Sequence, residues 1–505
     1  MNISEKCRKS SQIVRKIVLR TLGEFRVFFV SIFFRFSFCD CFACSAEKNL
    51  RNEYLISYGS FLGVVLWIME LFVSFASRLK YGFMDARRLT TIFSDQKEEL
   101  LSHDPSLLCS RMEERQLSPS SNLAQIVIGV RRSGKSTLCE KFIRQQGVEF
   151  AYANFDDDRL TGIETDDFDR VLDALYQIYG DFKYLFLDEV QNIKGWQLFV
   201  NRLLRQKVHL FVTGSNSKLL SSELTTHLTG RHNKVELYPF SFTEYATMRG
   251  VELRSLSTKA KALRKKALHE YLMDGGFPEL MNEQNKRGYI EALLNSIIKN
   301  DIARRFRLRH VEVLRRMATY LADNFCQEFV ATDLAKLFGV SNHTIENYYS
   351  HLKEAFLLLG VPKFSYKSRE RVRNEKVYVV DVAFVSERSG TFSTENMGWR
   401  LENVVYVELL RRYRPEYADV FYYRDNRWEV DFVIAKGGKV EQLVQVSYDI
   451  SAEKTLNREI NALLKAATKF HCENLLLINF DEDREVEKNG HCIRMVPAAE
   501  WLTRQ

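Results

Sequence analysis

The chain has 505 residues, which is too long for a single hydrophobic core and indicates three or four domains. Hydrophobic residues make up 46% and charged residues 27%, so the composition excludes an intrinsically disordered chain. The formal net charge is +8, but residues 1–83 hold twelve Lys or Arg against six acids and carry +6 of it; a generally basic surface is therefore excluded, and nucleic-acid binding would need a local patch.

The N-terminal segment, residues 1–83, differs from the rest of the chain. Its run 54–76 approaches the ~20 apolar residues of a transmembrane helix, although Glu70 lies within it. Two interpretations stay open: membrane association through 54–76, or an extension outside the natural product, whose frame would start at Met84. The nine cysteines are too dispersed for a disulfide scaffold, so we expect a cytoplasmic protein.

A phosphate-binding loop is predicted between a buried strand at 125–129 and a helix that starts near Ser136. Residues 129–136 match G-x-x-x-x-G-K-[ST] at every fixed position. The glycines let successive N–H groups point at phosphate oxygens, and the helix N-terminus adds partial positive charge. Lys135 would reach the β- and γ-phosphates of ATP, and Ser136 would hold Mg²⁺. The predicted nucleotide contacts in this loop are Gly129, Val130, Arg131, Arg132, Ser133, Gly134, Lys135, Ser136 and Thr137.

Two further strands complete the predicted nucleotide site. The apolar run 183–187 ends in Asp188 and Glu189, a pattern typical of Walker B. We expect Asp188 to hold Mg²⁺ and Glu189 to orient or deprotonate the attacking water. A third strand, 208–216, ends in Thr213 and Ser215, which are predicted to sense the γ-phosphate, although a simple turn would have the same composition.

Three arginines near these motifs have open roles. Arg231 is a candidate for stabilising the transition-state charge, in cis or in trans from a second copy in a homo-oligomer. Arg131 and Arg132 lie at variable positions of the phosphate-binding loop. They are interpreted either as nucleotide contacts or as surface charges or DNA contacts.

From residue 90 to 505 the chain resembles prokaryotic AAA-type ATPases of the origin-recognition-related clade that carry a restriction-endonuclease-like C-terminal domain. The resemblance rests on six motifs, at 131–137, 186–191, 195–196, 213–220, 228–231 and 239–245. It implies an ATPase of the P-loop class, and it implies that the helical residues 247–310 form a lid and linker.

A helix-turn-helix is predicted at 332–349. Leu334, Ala335 and Leu337 would form an apolar face, Gly339 permits a tight turn, and a serine at 341 caps the next helix. Base contacts would come from Asn342, His343 and Asn347, and phosphate contacts from a wing that carries Lys363, Lys367, Arg369, Arg371, Arg373 and Lys376. Alternatively, this winged helix packs against or docks another protein.

The C-terminal order of helix, strand, turn and strand resembles the PD-(D/E)xK nuclease fold. The resemblance gives Glu402 and Asp431 as metal-binding carboxylates. Gln445 and Ser447 stand where the third motif has Glu-x-Lys, so we expect cleavage to be lost or severely weakened, unless Glu429 and Lys454 substitute in space.

The predicted fold class is α/β, with a P-loop NTPase parallel sheet, then a helical lid and a winged helix-turn-helix, then an α/β restriction-endonuclease-like domain. The expected boundaries are 1–83, 84–246, 247–310, 311–374 and 375–505. The leading hypothesis is an ATP- and Mg²⁺-dependent ATPase whose nucleotide state controls a DNA-directed C-terminal half. The alternatives are an ATP-regulated, Mg²⁺-dependent deoxyribonuclease and an ATP-driven signalling or scaffold switch that binds protein.

Overall fold

The structure is a computed structural model that describes residues 86–104, 108–215, 228, 230–367, 375–386, 396–413 and 418–504. The chain divides into two units, residues 1–83 and 84–505, and the interpretations of 1–83 and 54–76 lie outside the described residues. Among the helices that the structure describes, none is long and apolar enough to cross a membrane.

The first sheet has five parallel strands in the order β2-β3-β4-β1-β5. Its strands are β1 (Ala124–Ile128), β2 (Phe150–Asn154), β3 (Tyr184–Asp188), β4 (His209–Gly214) and β5 (His232–Glu236). Its helices are α1 (Ala86–Ser102), α2 (Lys135–Gln145), α3 (Phe168–Tyr179) and α4 (Trp196–Arg205).

Both faces of this sheet are covered, as the near-continuous apolar runs of its central strands require. Ile126 and Ile128 of β1 belong to one buried cluster, with side chains of α1, α3 and α4. Val127 belongs to another, with Leu138 and Phe142 of α2. The predicted P-loop NTPase sheet is therefore confirmed, and the order places β4 between β1 and β3.

A helical segment follows the sheet. It comprises α5 (Phe242–Met248), α6 (Thr258–Asp274), a 3₁₀ turn (Pro278–Met281), α7 (Lys286–Ser296), a π-helix (Ile297–Ala303) and the short α8 (Arg304–Phe306). Helix α6 ends at Gly275, whose N–H donates to the Tyr271 carbonyl at 2.9 Å. The π-helix adjoins α7 directly, and its residues Ile297, Ile298 and Ile302 are buried.

The next elements are α9 (Val311–Asp323), β6 (Gln327–Glu328), α10 (Ala331–Phe338), α11 (Asn342–Glu354), β7 (Leu358–Pro362) and β8 (Glu375–Val379). Gly339 takes φ +68° between α10 and α11, and the Ser341 hydroxyl accepts a hydrogen bond from the Thr344 N–H, so two helices joined by a tight turn occupy the predicted positions. The prediction for Leu337 is wrong: this side chain is 52% exposed, and Phe338 packs against the core instead.

Strand β8 corrects the expected boundary after residue 374. We assigned residues 376–381 to the C-terminal domain, but β8 pairs antiparallel with β7 and β6 in a three-stranded sheet. The sequence is ambiguous here for a physical reason. The backbone of β8 pairs with β6 and β7, while its Lys376 and Tyr378 side chains contact Glu402 of the following domain.

The C-terminal α/β domain has a six-stranded mixed sheet in the order β13-β14-β12-β11-β10-β9. The short helix α12 (Ala383–Ser386) precedes this domain, whose elements are α13 (Met397–Arg412), β9 (Asp419–Arg424), β10 (Glu429–Lys436), β11 (Lys439–Ser447), α14 (Glu453–Phe470), β12 (Leu475–Asn479), β13 (Arg484–Lys488), β14 (His491–Pro497) and α15 (Ala498–Thr503). The antiparallel pair β10–β11 is followed by α14, which crosses over to the parallel strand β12.

Candidate nucleotide site

The loop between β1 and α2 needs glycine at two positions. Gly134 takes φ +94° and caps the N-terminus of α2. At Gly129 a Cβ atom would overlap the carbonyl oxygen of Leu237, so any side chain would displace the neighbouring backbone. The fixed glycines of the motif therefore have a steric reason in this fold, in addition to exposing N–H groups.

Lys135 begins α2 and is almost fully buried at the carboxyl end of the sheet. Its ammonium group donates to the Val130 carbonyl at 3.1 Å and lies 3.6 Å from the Glu189 carboxylate. The loop thus curls around the lysine side chain. A buried ammonium group held in this way is well placed to pair with an anionic ligand in addition to the Glu189 carboxylate.

Asp188 ends β3 beside two hydroxyl groups. Ser136 donates to its Oδ1 at 2.8 Å, and Thr213 of β4 donates to the same oxygen. The Tyr152 hydroxyl lies 3.3 Å from Oδ2. Burial, together with the neighbouring Glu189, raises the pKa of Asp188 to about 6. These hard oxygen donors fit Mg²⁺, which Ser136 and Asp188 would hold between them.

Glu189 has a strained backbone, with φ +49° in the left-handed region. Its N–H donates to the Thr213 hydroxyl at 3.0 Å, and its carboxylate accepts a hydrogen bond from the Gln191 amide. Gln191 also donates to the Ser215 hydroxyl at 3.3 Å. Strain of this kind at a non-glycine residue is typical of functional positions, so the fold holds the carboxylate in a fixed direction. Sequence reasoning missed Gln191, although it stands in the motif 186–191.

The loop arginines contact acidic residues of the protein. Arg131 lies 3.2 Å from Asp156 and 3.8 Å from Asp301 of the π-helix. Arg132 pairs with Glu279 in the 3₁₀ turn, and its guanidinium lies over the Tyr289 ring of α7. Asp301, Glu279 and Tyr289 all belong to the helical segment. Arg131 and Arg132 are therefore paired with acids and are not free surface charges. A nucleotide contact by either arginine stays a prediction.

Asp301 is a site residue that the sequence did not reveal. It is mostly buried, and burial, opposed by Arg131, raises its pKa to about 6. It stands on the π-helix, and short π-helical insertions occur frequently at functional sites. No sequence pattern predicts an i→i+5 turn, so only the fold brings Asp301 beside the phosphate-binding loop.

Arg231 lies at the far end of the sheet. It precedes β5, and its carbonyl accepts from the Ala124 N–H at the start of β1. Since β1 and β5 are parallel, the phosphate-binding loop follows the opposite end of the same pair. The Arg231 guanidinium donates to the Asn201 side chain at 2.7 Å. The predicted role in cis is therefore wrong, and the role in trans stays a prediction.

Arg111 links the phosphate-binding loop to the C-terminal domain. Its guanidinium donates to the Ser133 carbonyl at 2.9 Å and lies 3.1 Å from Glu244. Glu113, two residues on, lies 3.7 Å from the guanidinium of Arg411 on α13. These four side chains are all buried, so they form a charged network inside the protein.

We expect Arg111→Met to lower the free energy of unfolding by about 3–5 kcal/mol, because it leaves the carboxylate of Glu244 buried without its ion-pair partner and removes one positive charge from the network that holds Glu113. Urea denaturation followed by tryptophan fluorescence measures this loss. Arg427→Met, at an exposed arginine, is the matched control and should change stability by less than about 0.5 kcal/mol. A loss for Arg111→Met as small as that of the control would contradict the network.

The four predicted nuclease-type positions are near one another, but their contacts differ from the prediction. Gln445 donates its amide to Glu459 at 2.8 Å, and Ser447 donates to the Asp449 carbonyl at 3.3 Å. Glu402 and Asp431 lie 2.7 and 3.8 Å from the ammonium of Lys376, one of the wing residues with a predicted phosphate contact. That contact is contradicted, because Lys376 is 4% exposed and is paired with acids.

Of the two residues suggested as spatial substitutes, only one joins this cluster. Glu429 lies 2.6 Å from Lys376, whereas Lys454 is exposed at the start of α14. The wing arginines Arg369, Arg371 and Arg373 lie outside the described residues.

The five parallel strands, the loop around Lys135 and the paired acids after β3 define the class of this protein as a P-loop protein of the AAA type. Residues 121–246 match the family model of an AAA domain. Residues 265–395 and 397–501 match two models described as domains of unknown function, DUF8612 and DUF4143. The first of these two segments includes β8, in agreement with its strand pairing.

Two curated proteins are similar over most of the chain. The uncharacterized protein MJ1544 of Methanocaldococcus jannaschii is 33% identical over 396 residues, which cover 75% of this chain and 88% of that protein. An uncharacterized protein of Haemophilus influenzae is 31% identical over 399 residues, which cover 76% and 94%. The chain belongs to the family of these AAA-domain proteins.

Solved structures show a more distant likeness. The Holliday junction branch migration motor RuvB of Thermotoga maritima is 17% identical, with a TM-score of 0.21, over 53% of this chain and 89% of that one. AMPPCP-bound DnaA from Aquifex aeolicus is 12% identical, with a TM-score of 0.21, over 47% and 83%.

Proposed function

We propose that this protein binds and hydrolyses ATP and that its nucleotide state controls a DNA-directed C-terminal half. One observation carries the proposal: Lys135, Ser136, Asp188 and Glu189 converge at the carboxyl ends of β1 and β3, the two strands that flank β4. Ligands of parallel α/β sheets bind at this edge, and the four side chains supply one cation, one hydroxyl and two carboxylates. That set suits a triphosphate with its metal ion.

Each residue has a distinct task in the proposed hydrolysis. Lys135 would exchange its bond to the Val130 carbonyl for phosphate oxygens and neutralise charge that develops on them. Ser136 and Asp188 would hold Mg²⁺, which supplies charge neutralisation at the phosphates. Glu189 would accept a proton from the attacking water, and Gln191 and Thr213 keep its carboxylate and backbone in place.

The helical segment connects the proposed nucleotide site to the proposed DNA-binding winged helix. Arg131 and Arg132 are paired with Asp301 and Glu279 of the helical segment, and the same segment runs directly into α9 of the winged helix. Phosphates that attract the loop arginines would compete with those carboxylates. The competition would shift the helical segment relative to α9 of the winged helix.

An arginine-rich surface supports DNA as the partner. Six arginines between the π-helix and the middle of α9 are exposed: Arg304, Arg305, Arg307, Arg309, Arg315 and Arg316. Arg316 lies over the Phe338 ring of α10, so this surface adjoins the helix-turn-helix. Phosphate contacts from such a surface provide affinity, and the exposed Asn342, His343 and Asn347 of α11 are available for bases. We therefore assign phosphate binding to residues 304–316 and to the wing.

We expect duplex DNA to raise the ATPase rate and to bind with a steep salt dependence. In a gel-shift titration, Arg305→Ala/Arg309→Ala should weaken binding and lower the salt slope by about 2, because each lost phosphate contact removes about 0.9. The matched control, Lys259→Ala/Lys266→Ala, removes two exposed charges from α6 and should bind as the wild type does. DNA binding that ignores salt and these arginines would instead favour a protein partner.

A homo-oligomer would give Arg231 a role. Arg231 is exposed at the edge of the sheet remote from its own phosphate-binding loop. In a ring or dimer, this edge could face the nucleotide of a second copy, where a guanidinium would stabilise the transition state.

A further inference from the structure

We propose that Lys376 is a built-in cation of the C-terminal domain: its ammonium group occupies the carboxylate centre in place of a divalent metal and fastens the winged helix to that domain. The centre consists of Glu402 on α13 and of Glu429 and Asp431 on β10. We name these three acids the carboxylate centre. Lys376 enters it from strand β8, which belongs to a different sheet.

The ammonium lies at bonding distance from the acids. It is 2.7 Å from Glu402 and 2.6 Å from Glu429, and it is 3.8 Å from Asp431. The Tyr378 hydroxyl, two residues along the same strand, donates to the same Glu402 oxygen at 2.6 Å. Lys376 and Tyr378 therefore both donate to the Glu402 oxygen that a metal ion would need as a ligand.

A divalent cation does not fit the carboxylate centre as it stands. Mg²⁺ binds carboxylate oxygens at about 2.0–2.1 Å, so it would compete with the ammonium for the same atoms and repel it. Gln445 offers no further ligand, because its amide donates to Glu459 and its carbonyl faces the Asp431 N–H. Among the residues that the structure describes, no group of three or more acidic, His or Cys side chains is arranged to hold a metal ion.

Burial makes the lysine hard to replace. Lys376 is 4% exposed, and Glu402 and Asp431 are similarly buried. Its ammonium group is in direct contact with the acids that it neutralises, Glu402 and Glu429.

Hydrogen bonds near Lys376 also join the winged helix to the C-terminal domain. Beside Lys376, the Tyr422 hydroxyl of β9 donates to Glu328 of β6 at 2.9 Å. The Phe364 N–H, just past β7, donates to the Tyr422 carbonyl at 2.7 Å. The winged-helix sheet thus lies along the edge of the C-terminal sheet, with Lys376 as the charged contact at its centre. Removing the charge should both loosen this edge and free the carboxylate centre for metal.

Manganese binding tests the proposal. Mn²⁺ is titrated into the nucleotide-free full-length protein and followed by its electron paramagnetic resonance signal. We expect the wild type to gain no Mn²⁺ that depends on Glu402, whereas Lys376→Met should bind one ion per chain that Lys376→Met/Glu402→Gln does not. Lys439→Met, at an exposed lysine, is the matched control and should behave as the wild type does.

Two further measurements apply if Lys376→Met folds poorly. Mn²⁺ should raise the melting temperature of Lys376→Met, because a ligand stabilises only the form that binds it. The melting temperature of the wild type should show no increase with Mn²⁺ that depends on Glu402. Lys376→Arg should retain the fold and exclude Mn²⁺. The proposal is overturned if the wild type binds Mn²⁺ that Glu402→Gln abolishes, whatever Lys376→Met does.

Discussion

Replacing Lys135 with alanine should reduce ATP affinity by at least about 100-fold. The ammonium is the buried cation nearest to the acids after β3, and charge-assisted hydrogen bonds to phosphate contribute about 1.5–3 kcal/mol each. Losing two such bonds accounts for the decrease. Equilibrium binding of a fluorescent ATP analogue, measured with Mg²⁺ present, provides the comparison.

Lys183→Ala is the matched control for this prediction. Lys183 is exposed and lies just before β3, at the end of the sheet opposite to the phosphate-binding loop. Its replacement should leave affinity for the analogue unchanged. If Lys135→Ala bound ATP as tightly as Lys183→Ala, the proposed site and the hydrolysis built on it would both fail.

Glu189→Gln should separate binding from turnover. The amide keeps the size of the side chain, so we expect nucleotide affinity to change less than about threefold. It cannot accept a proton from water, and general bases contribute about 10²–10⁴-fold to rates, so kcat should fall by that factor. Phosphate release under saturating ATP measures kcat, and the binding assay above measures affinity.

Asp181→Asn is the control here, because Asp181 is an exposed acid near the start of β3. It should keep full turnover. If Glu189→Gln also hydrolysed ATP at the wild-type rate, another base would be required. Asp301 on the π-helix would then be the next carboxylate to replace, since it is buried close to Arg131.

The sequence predicted those parts of the site that depend on neighbouring residues. The glycine positions around Lys135, the acids after an apolar run and the cap at Ser341 are each determined within a few residues. Strand β1 and helix α2 followed for the same reason. The fold class could therefore be predicted before any contact between distant segments was known.

The features that the sequence did not predict depend on contacts between distant segments. Lys376 reads as one more basic residue of a wing, until the fold places it among acids 26 and 53 positions away. Arg231 stands beside a plausible motif, but the parallel direction of β5 puts it at the wrong end of the sheet. Asp301 required a π-helical turn, which has no sequence signature. In each case the sequence indicated the chemistry of the side chain but not its position in the fold.

The salt-bridged guanidinium of Arg111 limits how the molecule can change shape. Because Arg111 contacts the phosphate-binding loop and lies in one network with Glu113 and Arg411 of α13, the nucleotide-binding core and the C-terminal domain resist sliding against each other. Any hinge that responds to ATP should therefore fall between Gly275 and Arg309, outside this braced region. Spectroscopic distance probes placed on α2 and α13 should report a constant separation through the ATP cycle, while a probe on α7, within residues 275–309, moves.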